Sequence, residues 1–297
     1  MKVYFPSYYK DFKCIADRCR HSCCVGWEID VDDGTVEAYE GLGGELGREI
    51  RSHISGGVIG MCSDGRCPFL DSRGLCRIIS SLGEGYLSDI CREHPRFYHS
   101  VGGRVEGGIG ISCEEAARII LSSDGYADFI ELSRDVDEPD AADFDPTAER
   151  EYIFSILLAE DGYQEKIDKI LEHYGLPDPC DRAGEWNKIL SELEYLEGSR
   201  VGFLAVGRKI ADTDAGIYAS RYLAYLIFRH VSLSESIDNM RARIGFSILL
   251  SRIFENLVAE DSLSFDKLCE AARIISEEIE YSEDNTASLI FEFESEI

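Results

Sequence analysis

Nine of the eleven cysteines fall within the first 113 residues, and this crowding constrains the chain more than any other feature. They run Cys14-x4-Cys19-x3-Cys23-Cys24, then Cys62-x4-Cys67-x8-Cys76-x14-Cys91-x21-Cys113. The opening "MKVYFPSYYK" lacks an apolar core of signal-peptide length, and no stretch approaches the ~20 apolar residues of a membrane helix. A soluble, cytoplasmic protein is expected. Clustered thiols in a reducing compartment point to metal ligation or reactivity, not disulfides. Sulfur is a soft ligand that selects zinc, copper(I) or iron-sulfur iron, four thiolates being the usual number per site. Paired C-x2-C knuckles, the common zinc signature, are absent. Cys180 and Cys269 stand alone and are expected to be buried as small hydrophobes.

Two segments bear on how the thiols are arranged. In "CPFLDSRGLC" a tight turn at "DSRG" predicts a hairpin that brings Cys67 and Cys76 together. Cys19-x3-Cys23 begins the C-x3-C-x2-C pattern of radical S-adenosylmethionine enzymes, but Gly26 stands where the third cysteine is needed, so no such cluster is assigned.

At 297 residues with 44% hydrophobic content the chain can bury a substantial core. Fifty-seven acidic residues against 30 basic give a formal charge of -27, which disfavours nucleic acid and anionic membranes as partners. The pattern predicts a mainly α protein. A cysteine-rich metal-binding region with short helices and a small β-hairpin, residues 1–125, precedes an acidic join at 126–146 and an α-helical domain at 147–297. The first region shows no obvious continuous core of its own. Ser112 and Glu115 predict a capped helix start at "SCEEAARIIL". Ile153, Ile156, Leu157, Ile167, Ile170 and Leu171 recur at helical spacing, with Gly175 and Pro177 as stop signals. Helical patterns also cover about 183–207, 214–231, 235–258 and 264–281, and the polar C-terminal tail resembles disorder.

The stretches "FPSYYKDFKCIADRCRHSCCVGWEIDVDDGT", "CPFLDSRGLCRIISSLGEGYLSDICREHPRF" and "GISCEEAARIIL" resemble the flagellin lysine-N-methylase family, relatives of cysteine-cluster proteins described as zinc- or iron-chelating. The resemblance covers roughly residues 1–121. Farther on it is confined to stretches such as "SRYLAYLIFRHV" and "SRIFENL". The family's eight cysteines fall on Cys14, Cys19, Cys23, Cys24, Cys67, Cys76, Cys91 and Cys113, with Cys62 extra. A proline usual after the last cysteine is Glu114 here. The resemblance implies methyl transfer from S-adenosylmethionine to lysines of flagellin, in an enzyme holding a cysteine-ligated iron-sulfur cluster, 4Fe-4S in type, with zinc as the alternative. The competing reading is a non-enzymatic zinc- or iron-binding interaction module.

Lysine attacks as the neutral amine, and its ordinary pKa of ~10.4 requires desolvation or a proton acceptor. Tyr8, Tyr9, Glu84, Tyr86 and Glu93 are candidate acceptors, each with an ordinary packing or solvated role as its alternative. Glu106, Gly108 and Gly110 form an E-x-G-x-G, but "FYHSVGGRV" is a poor preceding strand and a plain glycine turn is the expectation. Beside Cys91, His94 is a substitute ligand and Arg96 either an anion fork or a loop brace. "ELEYLEG" and "ISEEIEYSED" read as solvated acidic faces or a docking face for a lysine-bearing partner. Tyr218, Tyr222, Tyr225 and Phe228 form a helical stripe suited to core packing.

Overall fold

The computed structural model describes residues 1–27, 29–139, 143–207, 209–210, 214–259 and 264–295. Its contacts divide the chain into one unit of Lys13–Phe97 and another of Met1–Phe12 with Tyr98–Ile297. Among the described residues there are twelve α-helices and seven short strands, a mainly helical protein. None of the helices is long and apolar enough to cross a membrane.

Strand β1 (Lys2–Pro6) opens the chain and belongs to the larger unit. The smaller unit then follows in order: β2 (Ile29–Asp30), α1 (Asp33–Glu40), α2 (Gly44–Ser52), β3 (Ile54–Ser55), β4 (Val58–Ile59), α3 (Arg77–Leu82) and α4 (Asp89–Glu93). Asp32 starts α1 by accepting the Thr35 amide at 2.9 Å, the exchange an N-cap carboxylate makes with an orphan helix donor. Gly56 and Gly57 take φ of +61° and +81°, the mirror-image turn that matches strand twist, and so join β3 to β4. Ile29, Val31, Tyr39, Ile50, Ile59, Phe69, Ile78 and Leu87 then form a continuous apolar core, with Cys67 inside it. This corrects the expectation that the first region lacks a core. Its apolar residues are spread thinly along the chain and meet only through tertiary packing.

The larger unit resumes at Tyr98, within β5 (Arg96–Val101), and continues with β6 (Arg104–Ile109), α5 (Glu114–Ser122) and β7 (Phe129–Ser133). The sheet order is β5-β6-β1-β7, with β1 parallel to β6 and antiparallel to β7. Val3 and Phe5 on alternate positions of β1 are fully buried. Part of the 126–146 stretch is therefore strand. The segment thought a poor strand is one, because Gly102 and Gly103 at φ +55° and +71° turn it back as a hairpin. Helix α5 begins one residue later than Ser112 and Glu115 suggested. Cys113 is its cap residue, and the Ser112 hydroxyl is buried with no hydrogen-bond partner.

Helices α6 (Thr147–Leu158), α7 (Tyr163–Tyr174), α8 (Ala183–Glu192), α9 (Asp214–Leu226), α10 (Ile237–Val258), α11 (Phe265–Ile275) and α12 (Glu283–Glu294) complete it. Gly175 ends α7 in the left-handed conformation, as its position promised. Helix α10 is buried nearly all round and packs against α9, α11 and α12. Two helices end in π-helical turns, Ile227–Val231 after α9 and Ser276–Glu280 after α11. The tail expected to be disordered is α12. Leu289, Ile290 and Phe293 are buried, and Phe293 stacks on Trp186 at 4.5 Å. The 183–207 pattern is helical only to Glu192.

Candidate functional site

The thiols converge in the smaller unit. An antiparallel bridge pairs Val25 with Arg66, and the Cys67 amide donates to the Cys24 carbonyl at 2.8 Å, so two distant segments cross where these cysteines lie. The hairpin expected from "CPFLDSRGLC" forms. Asp71 Oδ1 accepts from the amides of Arg73 and Leu75 at 2.8 and 2.9 Å, Gly74 takes φ +78°, and Leu70 bridges to Cys76. Cys91, on α4, packs against the same core with Cys24 and Cys76. Four thiols from four places in the sequence thereby surround one apolar centre.

Their electrostatics reflect that closeness. Burial pushes the Cys67 thiol up to about 12, and the thiolates of Cys24, Cys76 and Cys91 add to the rise. Burial first, then Cys24, also raises Cys76 and Cys91 above the usual cysteine range. Cys24 moves the other way, to about 7, chiefly through a hydrogen bond from the adjacent Cys23. In number and softness this donor set fits a thiolate-held iron or zinc group. Among the described residues, however, no three His, Cys, Asp or Glu side chains close on a single point as one metal ion requires.

The other family cysteines are placed differently. Cys14 is exposed and its sulfur accepts the Ala16 amide at 3.4 Å, while Cys19 donates to the His21 carbonyl at 3.1 Å. Cys23 is exposed beside Cys24, and Cys113 heads α5 in the larger unit. Cys62 is exposed. Cys269 is buried as expected, but Cys180 is only half-buried. His94 packs edge-on against Trp27 at 5.4 Å, and burial, with Arg96, pushes it down to about 4, leaving a neutral imidazole. Arg96 reaches the Arg92 carbonyl at 3.4 Å.

The candidate proton acceptors do not form one group. Tyr8 and Tyr9 are buried in the larger unit, Tyr9 stacking on Phe5 at 3.9 Å, and burial raises the Tyr8 phenol. Glu84 is exposed, Glu93 half-exposed, and the Tyr86 carbonyl accepts the Tyr39 hydroxyl at 2.6 Å. The E-x-G-x-G is neither cofactor loop nor turn. Glu106 lies in β6, fully buried, and takes both Nη atoms of Arg150 at 2.5 and 2.9 Å. A cleft of about 120 Å³ lined by Asp161, Tyr163, Lys166 and Ser220 is small beside the roughly 300–1,000 Å³ of sites for drug-sized ligands.

A second polar group, which sequence reasoning missed, lies at the two π-helical turns. His230 Nε2 stands 2.7 Å from Glu280 Oε1, and Arg229 donates to the Tyr225 hydroxyl at 3.0 Å. That hydroxyl receives the Ile111 amide at 3.1 Å, and the Tyr222 hydroxyl nearby is buried without a hydrogen-bond partner. Burial works against the Glu280 carboxylate, but Arg229 and His230 outweigh it and hold its pKa below the usual range. Of the stripe expected to be core, Tyr222, Tyr225 and Phe228 are buried and Tyr218 is half-buried, while Glu278 and Glu280 of the supposed solvated face are buried. The only sequence signal was "RH" inside the otherwise apolar "YLAYLIFRHV".

No family model and no solved structure matches the chain. It is 33% identical over 127 residues to proteins named lysine-N-methylase from Salmonella choleraesuis strain SC-B67 and Salmonella typhimurium, covering 39% of this chain. The match spans 32%, about a third, of the length of those curated relatives. It is also 31% identical over 127 residues to the flagellar biosynthetic protein FliU of Salmonella muenchen, covering 39% of this chain and 75% of that protein. With three quarters of FliU covered at this identity, the chain belongs to the lysine-N-methylase family that includes FliU.

Proposed function

We propose that the chain is a cytoplasmic protein-lysine N-methyltransferase that uses S-adenosylmethionine and acts on flagellin. The observation carrying this reading is its identity to proteins named lysine-N-methylase. Chemically, the neutral lysine nitrogen forms a bond to the donor methyl carbon as the sulfonium-carbon bond breaks. The sulfonium leaves as a thioether and the product ammonium then loses a proton. The protein's task is to desolvate the amine, align it with the methyl group and keep water out.

The proposed metal ligands are Cys14, Cys19, Cys23, Cys24, Cys67, Cys76, Cys91 and Cys113. Cys24, Cys67, Cys76 and Cys91, gathered on one core, are the subset that would hold an iron-sulfur cluster. Bound there, the group supplies covalent cross-links among four separate chain positions. A second reading, a zinc-stapled interaction module without turnover, is favoured by the burial of Cys67 in the core at 7% exposure.

Anaerobic purification followed by iron, zinc and acid-labile sulfide analysis separates the two. Iron with sulfide, and methyl-lysine mass increments on flagellin that are lost in Cys67→Ser, support the enzyme. Stoichiometric zinc in a colourless protein that methylates no flagellin overturns it in favour of the module.

A further inference from the structure

A chain of charge -27 collects cations at one place in its larger unit. His99, on β5, is pushed down to about 3 by burial and then by the charges of Arg229, His230, Arg150 and Arg243. Two of those arginines are matched. Arg150 is taken by Glu106, which Arg104 also engages, and Arg229 lies 3.4 Å from Glu280. Arg243 is not matched. Its Nε donates to Asn239 Oδ1 at 2.9 Å, and no carboxylate among the described residues forms an ion pair with it. Glu235 and Glu294 act on it only at longer range, and the Glu294 carboxylate is bonded to Asn239 at 2.6 Å.

The placement favours a ligand over a solvated role. Arg243 is half-buried on α10, one turn before Phe246, whose ring meets His230 at 4.9 Å. Desolvation works against its charge and lowers its pKa, the pull of Glu235 and Glu294 offsetting that only in part, and no carboxylate among the described residues pairs with the guanidinium directly. A planar fork with free terminal nitrogens matches a carboxylate bidentately. A π-helical turn, a feature that occurs often at functional sites, lies close by: His230 of the Ile227–Val231 turn meets Phe246, one turn along α10 from Arg243.

We propose that the Arg243 guanidinium binds a ligand carboxylate and that, resting on the methyltransferase reading above, this is the amino-acid end of S-adenosylmethionine. The test is calorimetric binding to the full metal-loaded chain of S-adenosylhomocysteine and of 5′-methylthioadenosine, which keeps the nucleoside and thioether but lacks the carboxylate. Arg243→Gln is expected to weaken the first on the order of tenfold or more and to leave the second within about twofold, with Arg243→Lys intermediate. Unchanged affinity for S-adenosylhomocysteine in Arg243→Gln, or equal loss of both ligands, overturns the assignment while the methyltransferase reading stands. If neither ligand binds the wild-type protein, the methyl-donor reading itself fails and this assignment falls with it.

Discussion

At the scale of single residues, the buried charges dominate what substitution will do. Glu106 and Arg150 are both fully buried, and Arg150 also sits against the rings of Phe129, Phe154 and Phe228. Removing Glu106 leaves Arg150 buried without its carboxylate, and removing Arg150 leaves the buried Glu106 only the partly exposed Arg104. Glu106→Gln or Arg150→Met is therefore expected to cost roughly 3–5 kcal/mol in urea denaturation, and the double variant Glu106→Leu/Arg150→Met much less than the sum. Additive costs would mean the pair is not coupled. His99 gives the pH counterpart. Its folded pKa of about 3 lies below the ordinary histidine value near 6.5, so the unfolded state binds the proton first. The stability involved is fully present above pH 6.5 and is lost as the pH falls toward about 3. Denaturation midpoints of His99→Asn should fall less steeply across that window than those of the wild type.

At the scale of elements, the contact between α10 and α12 is set by a glycine. A Cβ on Gly245 would meet the Phe293 ring at 2.5 Å, and that ring is already stacked on Trp186. Alanine gains up to about 1 kcal/mol in helix propensity, but overpacking costs about 1–3 kcal/mol, so Gly245→Ala should destabilise. Gly184, near the start of α8, has nothing within 4 Å of its Cβ direction, and Gly184→Ala should be neutral or stabilising by up to about 1 kcal/mol. The thermal unfolding midpoint should therefore fall in Gly245→Ala and stay level or rise in Gly184→Ala. Legibility in the sequence also divides at this scale. Helices with a clean period and a stop, such as α7 ending at Gly175, could be read directly. Helix α12 could not, because "EDNTASLIFEFE" carries its apolar residues at one end behind a polar start, and only packing on α10 and Trp186 supplies the reason to fold. The β5–β6 strands were hidden likewise, their glycines and polar residues being tolerated because β6 pairs with β5 on one side and with the distant β1 on the other.

At the scale of the whole molecule, two units invite different responses to metal. If the thiols of Lys13–Phe97 hold a metal group, its removal should accelerate hydrogen exchange at the amides of Cys67, Leu70 and Arg77, whose carbonyl partners are Cys24, Cys67 and Phe69. The amides of α10 should keep their protection. Exchange that rises equally in both, or in neither, would argue against a staple confined to the smaller unit. The charge of -27 has its own consequence: repulsion among exposed carboxylates is screened by salt, so the melting temperature should rise between low and moderate ionic strength.

The sequence by itself determined the chemistry available. It contained the soft-ligand inventory, the turn that pairs Cys67 with Cys76, the helical character of the second half and the family resemblance, because each rests on residue type or short-range spacing. Only the tertiary structure decided which thiols share a core, that Glu106 and Glu280 lie in the interior of the larger unit and not in a loop or on a solvated face, and that Arg243 is half-buried with no ion-pair partner among the described residues. Those outcomes depend on segments far apart in the chain meeting, as Cys24 meets Cys67 and β1 meets β6, and on the cost of burying a charge, which is set by its neighbours in space.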